Sequence, residues 1–169
     1  HGPILTENLG YYLNLYDIWS SYGVESKGTL ICYTSVYGNT KNAVEILAEE
    51  LKNAGCEKVV VNDLARCDMA EAVEDAFRYG KIILATTTYN GDIFPFMREF
   101  INELTERGYR NRKIGIIENG SWAPVVKNKI TKAFELCKNL DFAETVVTIH
   151  SAVKDENLEQ IKKLAEEMK

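Results

Sequence analysis

The chain has 169 residues, 46% of them hydrophobic, with 20 basic against 25 acidic side chains and a formal net charge of −5. This suffices for one domain with a real core; the lack of any basic stripe argues against nucleic acid or an anionic membrane as partner, and the apolar runs are too short to span a bilayer. No signal-peptide pattern opens the chain, and its first residue, His1, leads us to expect a fragment or a processed product.

Residues 1–28 stand apart from the rest of the chain. Pro3 and Asn8 precede a helix-like segment ending near Ser20. Leu9, Tyr12, Leu13, Tyr16 and Trp19 fall on one helical stripe, with Leu15 and Ile18 beside it. That stripe needs a partner surface, either the rest of this chain or a domain that lies outside it. Ser21 to Gly28 reads as a connector.

From residue 29 the pattern alternates. Strand Thr29–Thr34 leads to helix Thr40–Ala54, closed by Gly55. Strand Lys58–Asn62 leads to a helix near Met69–Tyr79, stopped by Gly80. Strand Lys81–Thr87 leads through a long loop to helix Pro95–Arg107, with Pro95 in its first turn and Gly108 as its cap. Strand Lys113–Glu118 is followed by helix Ala123–Lys138. A fifth strand, about Glu144–Ile149, precedes a last helix, about Asp155–Met168. Apolar strands bounded by turn signals are those of a parallel sheet covered on both faces. Five such repeats predict an α/β doubly wound five-stranded sheet with order 2-1-3-4-5. The expected domains are a junction segment with an extra helix, 1–28, and an α/β domain, 29–169.

In such a sheet the ligand crevice lies beyond the carboxyl ends of the strands, where strand order reverses. The loops after strands one, three and four meet there. The first, Thr34-Ser35-Val36-Tyr37-Gly38-Asn39-Thr40, is a hydroxyl-rich turn at a helix N-terminus. The first amides of a helix have no partner within it, and the dipole there favours an anion. Ser35, Asn39 and Thr40 can add neutral side-chain donors, and Gly38 permits φ > 0. The turn suits the phosphate of a mononucleotide, and its residues would equally serve as a plain turn and N-cap. The second loop is Thr86-Thr87-Thr88-Tyr89-Asn90-Gly91-Asp92-Ile93-Phe94, and the third is Glu118-Asn119-Gly120-Ser121-Trp122. Polar groups of these loops can read the edge of a flat heterocycle while the aromatic rings cover its face. Tyr89 and Trp122 would otherwise be ordinary half-buried aromatics. Asp92 reads as a solvated carboxylate or a cap, Glu118 and Asp63 as surface charges, and His150 as structural.

Four cysteines, Cys32, Cys56, Cys67 and Cys137, form no C-x-x-C pair. Free thiols point to a reducing compartment and a cytoplasmic location. Two histidines cannot make a histidine-rich metal motif.

The motifs together resemble those of flavodoxin-like proteins over residues 29–169. The closer resemblance is to the carboxyl-terminal FMN domain of flavodiiron proteins, also called A-type flavoproteins. T-S-V-Y-G-N-T at 34–40 is similar to their phosphate turn. T-T-Y-N at 87–90, followed by I-F-P at 93–95, resembles their second loop. E-N-G-S-W-A-P at 118–124 resembles a variant of their third loop, in which the tryptophan lies against the flavin. In that family H-G-P-I closes an amino-terminal β-lactamase-like iron domain, and its histidine is an iron ligand. His1-Gly2-Pro3-Ile4 and the helix to Ser20 resemble that junction. The resemblance implies an FMN site at Ser35, Val36, Tyr37, Gly38, Asn39 and Thr40 for the phosphate. Thr87, Thr88, Tyr89, Asn90 and Gly91 would line one side of the ring, and Asn119, Gly120, Ser121 and Trp122 the other. It implies an electron-transfer domain that serves a diiron centre reducing dioxygen or nitric oxide. A rubredoxin-like or other donor would supply the electrons, and the parent would be a homo-oligomer. The chain departs from the family in three respects, one of them a third loop, at Ala123-Pro124-Val125, less rich in glycine than that of many relatives. Asn90-Gly91-Asp92-Ile93 stands where many relatives carry Asn-Asn-Gly-Leu. The H-x-E-x-D-H iron-binding run is absent, so no metal site and no catalytic side chain is expected in this chain. Two alternatives stay open, a freestanding FMN-dependent quinone reductase and a flavin-free receiver-like module. The latter needs carboxylates at the end of strand one, where Thr34 and Ser35 stand.

Overall fold

A computed structural model describes Gly2 and residues 4–169; the expected junction residues His1 and Pro3 lie outside the described residues. Five parallel strands form the sheet: β1 (Ser26–Tyr33), β2 (Val59–Asp63), β3 (Tyr79–Tyr89), β5 (Arg112–Asn119) and β6 (Leu140–Ile149). Their order is β2-β1-β3-β5-β6, which is the expected 2-1-3-4-5 when the parallel strands alone are counted. The short β4 (Asp92–Ile93) pairs antiparallel with the end of β3.

Each strand buries alternate residues on opposite faces, as the period of two demands. Leu30, Ile82, Leu84, Ile114 and Ile116 point to one core, closed by α3 (Met69–Arg78), α4 (Pro95–Glu106) and α5 (Val126–Ala133). Ile31, Ile83, Ala85, Ile117 and Val147 point to the other, closed by α2 (Asn39–Asn53) and α6 (Asp155–Met168). Each fully buried Leu or Ile contributes roughly 1.5–3 kcal/mol, so the two cores hold the strand ends rigidly where the loops emerge.

Several expected boundaries shift. Gly80 does not stop α3 but lies inside β3. A Cβ there would stand 3.1 Å from the Val24 side chain, so glycine lets the connector pack on the strand. The sheet begins at Ser26 rather than Thr29, because Ser26 pairs with Tyr79. Helix α5 is shorter than expected, and β6 starts earlier, at Leu140, across a register irregularity at Ile114/Ile116.

The first helix, α1 (Leu9–Ser20), buries no residue. Leu15 and Ile18 are half-buried, and its other residues are exposed. The stripe of Leu9, Tyr12, Leu13, Tyr16 and Trp19 is exposed, so it does not pack on the α/β domain. What holds the helix is its C-terminal end. Trp19 Nε1 donates to Glu25 at 2.7 Å, and Arg78 Nε meets the same carboxylate at 3.3 Å.

Candidate functional site

The loops after β1, β3 and β5 converge on one cavity of about 510 Å³ at the carboxyl edge of the sheet. It is lined by Ser35, Val36, Tyr37, Asn39, Thr40, Thr87, Thr88, Tyr89, Gly91, Asn119, Gly120, Ser121, Trp122, Ala123 and Ser151. Of the residues singled out from the sequence, Gly38 and Asn90 do not line it. Gly38 caps α2 with φ 90°. Asn90 turns away, toward α4.

The first loop is built around Ser35. Its Oγ accepts from the Gly38 amide at 3.1 Å and the Lys41 amide at 3.3 Å. One hydroxyl therefore folds the turn onto the start of α2 and keeps its own hydrogen free to donate. The amides of Asn39 and Thr40 have no acceptor among the described residues. They are the orphan donors that every helix start exposes. Thr40 is 2% exposed, and its Oγ1 lies 3.4 Å from Asn119 Nδ2. At the tip, Tyr37 is 91% exposed.

The second loop is a tight hairpin rather than the expected long loop. Tyr89 pairs with Asp92, and Asn90 and Gly91 take φ of 51° and 70°. Two positive φ values in a two-residue hairpin turn favour Asn-Gly. The Tyr89 ring meets Phe94 edge-on, with centroids 5.3 Å apart. Asp92 is not a free carboxylate: its Oδ1 accepts from the Ile93 amide at 2.9 Å. It also pairs with Arg98, and with Lys129 at 3.9 Å. This replaces the expected solvated reading.

The third loop is braced from beneath. Thr87 Oγ1 donates to the Asn119 carbonyl at 3.2 Å, and Thr88 Oγ1 accepts from the Val125 amide at 3.1 Å. Glu118 is buried, not a surface charge. Its carboxylate accepts from the Lys127 amide at 3.0 Å and from Thr148 Oγ1 at 2.9 Å, which anchors the start of α5. Trp122 stands beyond these braces, 97% exposed.

A fourth loop, between β6 and α6, also reaches the cavity, and sequence reasoning missed it. Asn119 and Ser151 exchange two bonds: Asn119 Nδ2 donates to the Ser151 carbonyl at 3.0 Å, and the Ser151 amide donates to Asn119 Oδ1 at 3.2 Å. His150 Nδ1 lies 3.1 Å from the Gly120 carbonyl, so its role is to join the third and fourth loops. The segment His150-Ser151-Ala152 carries no glycine to flag a special backbone, so the pattern gave no signal.

At the end of β1 the buried Thr34 hydroxyl lies 2.6 Å from that of Thr86. No group of His, Cys, Asp and Glu among the described residues could hold a metal ion. The Tyr33 hydroxyl is held above its ordinary range, first by burial and then by Asp63, so it stays protonated at neutral pH. The cavity thus offers neutral donors, orphan helix amides and exposed aromatic rings. That donor set fits a phosphate joined to a flat ring, and the volume lies within the ordinary range for small-ligand sites.

Comparison with known proteins agrees with the geometry. Residues 30–164 match the flavodoxin domain family. The anaerobic nitric oxide reductase flavorubredoxin of Enterobacter sp. (strain 638) is 24% identical over 124 residues, which are 73% of this chain and 26% of that protein. The rubredoxin oxygen:oxidoreductase of Desulfovibrio gigas superposes with a TM-score of 0.86 at 18% identity, covering 95% of this chain and 39% of that one. A flavodoxin from the domain Archaea superposes with a TM-score of 0.69 at 15% identity, covering 82% of this chain and 94% of that one. The chain therefore spans about a quarter of the flavorubredoxin and about two fifths of the oxidoreductase. Because the family match runs from the first strand of the sheet to the last helix, the chain belongs to the flavodoxin domain family, whose cofactor is FMN.

Proposed function

We propose that this chain is the FMN-binding electron-transfer domain of a flavodiiron protein, passing electrons to a diiron centre that reduces dioxygen or nitric oxide. One observation carries the reading. Orphan amides, hydroxyls and exposed aromatic rings share a single cavity at the sheet's carboxyl edge. The extent of the structural likeness supports it further. The Desulfovibrio oxidoreductase covers 95% of this chain and the archaeal flavodoxin only 82%. The exposed stripe on α1 has the composition of a face that packs on another protein surface.

FMN, when bound, supplies the one- and two-electron chemistry. The residues of this chain bind and orient it. The Asn39 and Thr40 amides, with the Ser35 and Thr40 hydroxyls, hold the phosphate. Gly38 sets the backbone of that turn. Thr87, Thr88, Tyr89 and Gly91 form one wall for the ring, and Asn90 completes the hairpin turn behind them. Asn119, Gly120, Ser121 and Trp122 form the other, with Val36 and Tyr37 at the mouth. No side chain is assigned as acid, base or nucleophile. A rubredoxin-like or similar protein donates the electrons, and the parent is a homo-oligomer. Four free cysteines support a cytoplasmic location, and no helix among the described residues is long and apolar enough to cross a membrane.

The reading is tested by an anaerobic reductive titration of the chain with FMN. It predicts tight one-to-one binding, reversible reduction, and slow reaction of the reduced protein with nitric oxide in the absence of an iron domain. Rapid stoichiometric reoxidation by nitric oxide in iron-free protein would favour a self-sufficient flavoenzyme.

Trp122 gives a separate prediction. Since its side chain is almost fully exposed, Trp122→Ala leaves the melting temperature unchanged. Loss of its stacking weakens FMN binding by about 1 kcal/mol and raises the fluorescence of the bound flavin. Unaltered quenching and affinity in the variant would remove the tryptophan from the site.

A further inference from the structure

A second cavity, of about 340 Å³, opens at the amino edge of the sheet, where the connector after α1 meets the end of α3 and the start of β5. Its size is that of a small-ligand site. Its walls are aromatic, formed by Trp19, Tyr22 and Phe77. Each ring is held in place. The Trp19 indole donates to Glu25 at 2.7 Å. The Tyr22 ring lies 4.1 Å from the Arg110 guanidinium, and its hydroxyl donates to the Arg107 carbonyl at 3.1 Å. Phe77 meets Tyr109 edge-on, with centroids 5.2 Å apart. Walls fixed in advance spare a ligand the cost of ordering them.

The charges of this cavity are unevenly matched. At its mouth Glu25 and Glu74 pair with Arg78, as does Asp75 beside them. At its floor lies Arg112, the one buried residue of the lining. The two Nη groups of Arg112 are spent on carbonyls, among them those of Tyr22 and Gly23. Among the described residues its Nε has no partner, and no carboxylate pairs with it. The floor therefore carries one positive charge without a counter-charge. Charges act more strongly in a buried, low-dielectric setting than at a wet, screened rim. An anion on the floor gains more from Arg112 than it loses to carboxylates that Arg78 already offsets. One unpaired charge calls for a monoanion, and three rings call for a flat apolar body.

We propose that this cavity is a second small-molecule site that takes a small aromatic carboxylate, its ring among Trp19, Tyr22 and Phe77 and its carboxylate over Arg112. The inference stands apart from the reading of the FMN cavity at the other edge of the sheet.

The test titrates the isotope-labelled chain, with FMN in excess to fill the other cavity, with naphthoate, naphthamide and naphthylmethylammonium. Backbone amide and arginine Nε–Hε resonances report where each binds. Naphthoate should move the Arg112 Nε–Hε and Gly23 amide signals saturably. It should bind about ten- to a hundredfold tighter than the neutral amide or the cation. Trp19→Ala, a change at an exposed position, should weaken naphthoate about tenfold and leave FMN affinity unchanged. Absence of a saturable shift at Arg112 up to about 5 mM naphthoate overturns the proposal, as does an unchanged affinity in Trp19→Ala. Equal binding of the amide would make the cavity merely apolar, and tighter binding of the cation would give control to Glu25 and Glu74; either overturns it. Shifts confined to Tyr89 and Trp122 would place the acid in the other cavity and overturn it too. If the chain takes up no FMN, the FMN reading fails by itself, and the Arg112 signal still decides this one.

Discussion

The double variant Ser35→Ala, Thr40→Ala is expected to lose FMN affinity by about 3–6 kcal/mol while still folding. Each hydroxyl bond to a charged group contributes roughly 1.5–3 kcal/mol. The two positions act differently. Ser35 Oγ also holds the Gly38 and Lys41 amides, so its loss loosens the turn and orphans two donors. Thr40 is buried against Asn119, so its loss acts on a fixed point. Thr40→Ser keeps the hydroxyl and should restore most of the affinity that Thr40→Ala removes. Riboflavin, which lacks the phosphate, should weaken much less than FMN in every variant. If both flavins weaken by the same factor, the phosphate does not sit at this turn.

The doubly wound order could be read from the sequence because each parallel strand is apolar on both faces and is bounded by turn residues. The last helix follows the same logic, and its expected and observed limits coincide at Asp155 and Met168. Three loops of the site were legible for a related reason. The switch point dictates which strand ends meet, so Ser35, Thr87 and Asn119 could be placed at one edge from the order of the strands alone.

What was not legible depended on partners distant in sequence. Glu118 looks like any strand-end carboxylate until Thr148 and the Lys127 amide arrive to bury it. Gly80 reads as a helix stop because nothing local announces Val24. The expected α5 was too long at both ends. Pro124 biases Ala123 away from helix, and the chain leaves the helix at Phe134, ten residues before the predicted strand start at Glu144. Ser151 was invisible because its positive φ is imposed by Asn119, thirty-two residues earlier, and not by its own chemistry. The stripe on α1 was correctly located but faces solvent, since periodicity reports an apolar face without naming what covers it.

Arg112 is expected to be the most sensitive position outside the cavity. It is 3% exposed at the amino end of β5, at the opposite edge of the sheet. Its guanidinium donates to the carbonyls of Tyr22 at 2.8 Å, Gly23 at 2.9 Å and Phe77 at 2.5 Å. Among the described residues no carboxylate pairs with it, and its Nε has no partner. Burial lowers its pKa, opposed in part by Tyr109. A buried cation without a counter-charge is costly, yet it ties the connector, the end of α3 and β5 at one point. In Arg112→Ala, these three carbonyls and those of Arg110 and Asn111 lose a charged donor; the three distant bonds contribute roughly 1.5–3 kcal/mol each, offset by relief of the desolvated charge. The net loss should be about 3 kcal/mol. For a chain of this size that lowers the melting temperature by about 6–12 °C. Lysine should not rescue it, because one ammonium cannot reproduce the planar fork. The connector should loosen first, so that Trp19, whose indole bonds Glu25, becomes more mobile by fluorescence anisotropy and residues 9–25 are cut sooner by protease. FMN affinity should be unchanged, since the cavity lies at the other end of the strands. A variant that melts within about 2 °C of the parent and keeps Trp19 equally rigid would show that the guanidinium does not hold the connector.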